Sequence, residues 1–72
     1  MDKRVRMTNN VGKLREIEEI TQEEFSRRIM VTRQTLVAIE RGTYCPTLQL
    51  AFIIAHHLDA RLHDVFDYQH EQ

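Results

Sequence analysis

The sequence is poor in the residues that build disulfides and membrane segments. It contains one cysteine, one proline, two glycines and no tryptophan among 72 residues. A single cysteine cannot form an internal disulfide, which is typical of proteins in a reducing compartment. The longest apolar run, 50–55, is far too short to span a bilayer, and no apolar segment at the N-terminus has the pattern of a signal peptide. We therefore expect a cytoplasmic protein with no membrane contact.

Motifs of catalysis and metal binding are also missing. There is no glycine-rich phosphate loop, no Gly-x-Ser-x-Gly turn and no His-Glu-x-x-His box. The adjacent His56 and His57 would point about 100° apart on a helix, and His63 falls on a different predicted helix. The sequence predicts no enzyme, no cofactor and no metal site.

Neither sign of charge dominates the chain. The formal net charge is −1, which by itself argues against binding to nucleic acid. Residues 1–41, however, contain nine Lys or Arg against seven Asp or Glu, whereas residues 42–72 contain one against four. The N-terminal part is therefore the more basic one, which favours nucleic acid, although an ordinary solvated surface would show the same small asymmetry.

Segment 21–42 predicts two short helices joined by a tight turn. Thr21 is a favourable N-cap, and Glu24 three residues later completes a capping box. Phe25 and Ile29 are four positions apart, so they share one face of an amphipathic helix of about two turns. So short a helix is not stable alone and must pack against a partner.

The second helix of this segment has an inward apolar stripe and an outward polar face. It is capped by Thr32, buries Leu36 and Ile39, and ends at Gly42. Arginine and glutamine can bond guanine and adenine edges, and the methyl groups of alanine and valine suit the thymine methyl. The outward residues are Arg33, Gln34, Thr35, Val37, Ala38 and Arg41.

The rest of the chain predicts three more helices, at about 10–19, 47–58 and 61–66. The fold class is therefore all-α, a compact bundle of five short helices. We expect a flexible basic arm at 1–9, a domain at 10–67 that contains the two-helix unit at 21–41, and a polar tail at 68–72.

The fourth helix is apolar almost all round. Its core stripe is expected to leave Ile53 on a flank. Ile53 is then either part of a self-association patch or a singly exposed residue with no role.

These segments together carry a family resemblance. The residues concerned are Leu14-Arg15-Glu16, Ile20-Thr21-Gln22-Glu23-Glu24-Phe25, Val31-Thr32-Arg33-Gln34-Thr35-Leu36, Ile39-Glu40-Arg41-Gly42, Pro46-Thr47-Leu48, Leu50-Ala51, Ile54-Ala55, Leu58 and Val65-Phe66. The ordered set resembles the helix-turn-helix of lambda-repressor-like, Cro-type (Xre) transcriptional regulators. It spans about four fifths of the chain.

The resemblance implies roles for individual residues. Arg33, Gln34, Val37 and Ala38 would contact bases. Phosphate contacts would come from Gln22, Thr32, Thr35, Arg41 and Thr43. Arg15 and Glu40 match positions that form a structural ion pair between the first helix and the end of the third.

The chain departs from the family pattern at two positions that usually hold glycine. Met30 stands in the turn and Glu19 precedes the cap of the second helix. Either each takes a positive φ or the turn differs slightly. Asp59 or Ala60 likewise replaces a customary glycine before the last helix.

The function that follows is sequence-specific binding to double-stranded DNA by a homodimer on an inverted repeat, most simply as a repressor. No small-molecule effector is expected, because no effector domain is present. The alternative is a protein-interaction module, or an antitoxin-type regulator, that binds a partner through an apolar surface near Ile53.

Overall fold

The structure is a computed structural model that describes residues 5–70, with side chains described for residues 7–68. Five helices confirm the predicted number. The elements in chain order are β1 (Val5–Asn9), α1 (Val11–Ile17), α2 (Gln22–Arg28), α3 (Arg33–Arg41), α4 (Leu48–His57), α5 (Leu62–Val65) and β2 (Phe66–His70).

Three threonines are the N-caps of the helices that follow them. The hydroxyls of Thr21, Thr32 and Thr47 each accept a hydrogen bond from the amide three residues later, at 3.1 to 3.2 Å. Each bond satisfies an amide that the first helical turn leaves without a partner. The capping box at Thr21 is only half formed, because the Glu24 carboxylate accepts from Arg27 and Arg28 instead.

Four helices end with a residue in the left-handed conformation. Gly42 has φ 81°, as expected for the stop of α3, whereas Glu19, Met30 and Asp59 adopt φ values of 59°, 62° and 53° without being glycine. After each of them, the amide of the next residue donates to a carbonyl five positions back, which closes the helix. The departures from glycine are thus accommodated by positive φ, and the turn chemistry is kept.

The core lies between the five helices and is built from one contiguous apolar cluster. Phe25 of α2 and Ile29 at its C-cap meet Leu36 and Ile39 of α3 there, and all four are buried as predicted. The remaining buried members are Val11, Ile54, Ala55, Leu58 and Val65. α3 is therefore fixed by its inner stripe, which leaves its other face to solvent.

A two-stranded antiparallel sheet corrects the prediction of an all-α fold and the prediction of a flexible arm and tail at the two ends of the chain. β1 pairs with β2, with Met7 opposite Tyr68 and Asn9 opposite Phe66. Residues 5–9 were expected in a flexible arm and 68–70 in a tail. They are ordered because the backbone groups of each segment bond the other. Residues 1–4 and 71–72 of the arm and tail lie outside the described part.

Ile17, in the last turn of α1, is 66% exposed. One prediction of side-chain exposure was wrong. Ile53, expected on an exposed flank, is half-buried and packs against the core cluster. The exposed apolar residues of α4 are instead Leu48 and Phe52.

Candidate nucleic-acid interface

The outward face of α3 begins with polar side chains that are exposed to solvent. The cap at Thr32 begins α3 immediately before Arg33, so the first turn starts with two exposed polar side chains, Arg33 and Gln34. Leu36 and Ile39 are buried on the opposite side. The spacing along a helix thereby turns Arg33, Gln34 and Val37 outward together.

The predicted base-contact residues form two adjoining shallow surfaces. Arg33, Gln34 and Val37 line the first. Gln34 also borders the second, with Thr32, Thr35, Ala38 and Tyr44. The structure therefore brings all four predicted base-contact residues onto one continuous face. Val37 and Ala38 are half-buried, which suits apolar contact, and the two polar residues extend beyond them.

The arginines of α3 differ from those of α2 in their pairing with acidic side chains. Within the described residues, neither Arg33 nor Arg41 forms a salt bridge. Arg27 and Arg28 of α2, by contrast, bond the Glu24 carboxylate at 2.9 and 3.0 Å. The local positive charge is therefore concentrated on α3 although the whole chain is slightly acidic.

A chain of hydrogen bonds links the interior to Arg33. Arg15 Nε donates to Glu40 Oε2 at 2.8 Å, and Nη2 donates to Oε1 at 3.2 Å. Gln22 Nε2 donates to the same Oε1 at 3.0 Å, and Arg33 Nη2 donates to Gln22 Oε1 at 3.4 Å. Glu40 therefore fixes the Gln22 amide, whose oxygen then faces Arg33.

The ion pair at the base of this chain is nearly buried. The side chains of Arg15 and Glu40 are 10% and 11% exposed, and Arg15 Nη1 also donates to the Ile20 carbonyl at 2.8 Å. The hydrogen bond to Glu40 is the largest cause that raises the pKa of Arg15, while desolvation acts against it and the charges of Glu40 and Glu16 add to it. Arg15 is thus held protonated beneath the site.

The threonine hydroxyls at the edge of the face differ in what they can still donate. Thr32 Oγ1 donates to Thr35 Oγ1 at 2.9 Å, which leaves the Thr35 hydrogen available to a ligand. Thr43 Oγ1 donates to the Ala38 carbonyl at 3.2 Å. An anion would have to displace that carbonyl to receive the Thr43 hydrogen.

Two residues near α3 were not among the predicted site residues. Tyr44 is 46% exposed and borders the face beside Gln34 and Ala38. Asn9 donates from Nδ2 to the Ile39 carbonyl at 2.9 Å and so joins β1 to the end of α3. No local pattern signals this contact, because the partners are distant in sequence.

The described part of the chain shows neither a metal-binding cluster nor a membrane-spanning helix. No group of three His, Cys, Asp or Glu side chains is placed to hold a metal ion there. None of the described helices combines the length and the apolar character that crossing a bilayer requires.

The paired helices α2 and α3, with a tight turn between them and a polar outward face on α3, define a helix-turn-helix protein. The helix-turn-helix family model matches residues 11–65. The chain belongs to the family of lambda-repressor-like, Xre-type helix-turn-helix transcriptional regulators. It is a transcriptional regulator whose fold implies DNA binding.

Relatives support the same assignment. An uncharacterized HTH-type transcriptional regulator of Methanocaldococcus jannaschii is 38% identical over 66 residues, which are 92% of this chain and all of that protein. The uncharacterized HTH-type transcriptional regulator YgzD of Bacillus subtilis is 42% identical over 60 residues, covering 83% of this chain and 91% of YgzD.

Solved structures share the fold. The transcriptional regulator VanUg superposes with a TM-score of 0.76 at 17% identity, covering 97% of this chain and 93% of VanUg. The clp gene regulator ClgR from Corynebacterium glutamicum superposes with a TM-score of 0.71 at 24% identity, covering 75% of this chain and 57% of ClgR. At these identities the likeness concerns the fold alone.

Proposed function

We propose that this protein is a cytoplasmic, sequence-specific regulator that inserts α3 into the major groove of double-stranded DNA. The observation that carries the proposal is the first turn of α3, where Arg33 and Gln34 are exposed and bonded to no carboxylate among the described residues. Arginine pairs best with guanine and glutamine with adenine in the major groove. Val37 and Ala38 add apolar contact for a thymine methyl.

Phosphate contacts would flank the bases. Arg41 is exposed at the far end of α3, and the Thr35 hydroxyl retains a hydrogen to donate. Gln22 donates one amide hydrogen to Glu40 and has a second that it could donate to a phosphate. Thr32 supports this edge mainly by holding Thr35, and Thr43 would contact phosphate by giving up its bond to Ala38. Such contacts fix the orientation of α3 on the duplex.

A homodimer on an inverted repeat is the form that we propose for the bound state. One α3 reaches only a few base pairs, whereas two copies related by a twofold axis double the contacts at half-sites about 10 bp apart. Repression by covering a promoter is then the simplest mode of regulation, because the proposed contacts require no effector.

Selection from a random duplex library tests this function. The purified protein is selected at two salt concentrations, beside the Arg33→Ala variant. We expect an enriched inverted repeat, weaker binding at the higher salt, and an altered or lost preference in the variant. Folded wild-type protein that enriches no sequence would contradict the proposal.

A further inference from the structure

An apolar groove of about 340 Å³ lies between the sheet and α4 and shares no residue with the outward face of α3. Its rim is formed by Met7, Leu48 and Tyr68, which are 51%, 67% and 59% exposed. We call this surface the β/α4 groove. Its apolar lining is Met7, Leu48, Ala51, Leu62, Phe66 and Tyr68.

The register of the sheet explains why the groove is apolar. Residues directly opposite each other in a sheet share a face. Met7 is opposite Tyr68, so both lie on one face, while Thr8 and Asp67 are opposite each other on the other face. A two-stranded sheet is only marginally stable unless a packed face supports it. In the single chain, Met7 and Tyr68 remain more than half exposed on that face.

The exposed apolar residues of the protein concentrate here. Among the described residues, seven large apolar side chains are exposed, and four of them belong to this surface when Phe52 is included. Phe52 is 54% exposed and lies one helical turn after Leu48 on α4, so it extends the groove along that helix. Large contiguous apolar surfaces of this kind mark contact sites.

We propose that the β/α4 groove is the contact surface between two copies of this chain, an inference that rests on the homodimer of the proposed function. No lysine, arginine, aspartate or glutamate lines the groove. A twofold contact places the same patch against itself, so a patch without these charges brings no like charges together. The outward face of α3, with Arg33 and Arg41, would repel itself in such a contact.

A dimer contact of standard size would cover a modest share of the surface of this chain. A stable dimer of standard size buries about 800 Å² on each partner, which is about one seventh of the 5652 Å² accessible surface of this chain.

The position of the groove is compatible with DNA binding by both copies. The loop 42–47 leads from the end of α3 to the start of α4, where Leu48 begins the groove. The two surfaces are therefore neighbours that do not overlap. Because the two surfaces share no residue, a contact through the groove would leave the outward face of α3 uncovered.

The test compares Leu48→Glu with a matched control, Ile17→Glu. Ile17 is 66% exposed, nearly the same as Leu48, but lies on α1 outside the groove. Position 48 is the first residue of α4, where the negative charge of glutamate is favourable to the helix dipole, so the variant should fold. Sedimentation equilibrium should show dimers for wild type and Ile17→Glu, and a dimer dissociation constant raised about 100-fold for Leu48→Glu. Circular dichroism checks the fold of each.

Binding to DNA separates this proposal from the function itself. Leu48→Glu should lose affinity for the selected inverted repeat and keep wild-type affinity for a single half-site. A Leu48→Glu protein that dimerises like wild type overturns the proposed surface, even if DNA selection succeeds. Wild-type protein that is monomeric in solution would also overturn the proposed dimer surface, and would point to a different protein as the partner of the groove. Dimerisation through Leu48 without any DNA preference would instead contradict the proposed function and keep the surface.

Discussion

Arg15 and Glu40 join the first helix to the end of α3 through two hydrogen bonds, of 2.8 and 3.2 Å, between guanidinium and carboxylate. The chain leaves room for this pair at Gly12, where a Cβ would come within 3.2 Å of Glu40 Oε1. The Glu40 carboxylate also accepts a hydrogen bond from Gln22, which lies beside Arg33. One carboxylate therefore sets both the packing of α1 on α3 and the orientation of Gln22.

We predict that Arg15→Met lowers the free energy of unfolding by about 3 kcal/mol, because it leaves the nearly buried Glu40 carboxylate unpaired. Urea unfolding measures the loss. The double variant Arg15→Met with Glu40→Leu should recover part of it, since no unpaired charge remains. A single variant as stable as wild type would show that the pair contributes nothing.

The pH dependence of this contribution has a definite sign. The raised pKa of Arg15 means that its stabilisation is fully present below the unfolded-state pKa and is lost only as pH rises through the higher folded-state value. The stability difference between wild type and Arg15→Met should therefore stay constant from about pH 7 to about pH 9. Unfolding curves across that interval check it, and a steady decline would contradict it.

A second prediction distinguishes base contacts from phosphate contacts. Gln34→Ala should cost about 1–3 kcal/mol on the selected site and relax the choice at one base pair. Arg41→Ala should weaken binding to all sequences about equally and reduce the salt dependence by about one phosphate contact. Competition binding at several salt concentrations measures both. Identical profiles for the two variants would refute the assignment of roles.

A third prediction uses neighbours on opposite faces of α3. Leu36 is fully buried, so Leu36→Ala should lower the free energy of unfolding by about 2–5 kcal/mol, enough to unfold much of so small a domain. Val37→Ala should cost less than about 1 kcal/mol and act mainly on DNA preference. Thermal melts compare the two. Equal melting temperatures would contradict the inward placement of Leu36.

A fourth prediction concerns the left-handed helix ends. Glu19→Gly, Met30→Gly and Asp59→Gly should each stabilise the fold by about 0.5–1 kcal/mol, because an L side chain is strained at positive φ. Gly42→Ala is the matched control. Its Cβ would meet nothing within 4 Å, so a loss of about 1 kcal/mol there reports backbone strain alone. Glycine variants that melt below wild type would argue against strain at these positions.

The helices were predictable because their signals are local. α3 begins after Thr32 and ends at Gly42, and both residues act through contacts within one helical turn. The spacing of Leu36 and Ile39 decides which face of α3 is buried. The outward position of Arg33 and Gln34 follows directly. The exposure of Ile53 did not follow, because its burial depends on which neighbours cover that side of α4.

The sheet and the hydrogen-bond chain at Gln22 were not predictable in the same way. β1 is short and mostly polar, and its pairing is decided by a segment at the other end of the sequence. The alternation of Phe66, Asp67 and Tyr68 is a period-two signal, but three residues are too few to separate a strand from a tail. The hydrogen bonds from Gln22 to Glu40 and from Arg33 to Gln22 join separate helices, so only the assembled fold reveals them.

The pairing of β1 with β2 also sets the order of events during synthesis. Val5 is opposite His70, so the first described strand has no partner until almost the whole described chain has been translated. Closing the sheet joins the most distant described segments of the chain, so it closes the longest loop in the fold. In a nascent chain that still lacks β2, the backbone of β1 therefore has no partner in this sheet.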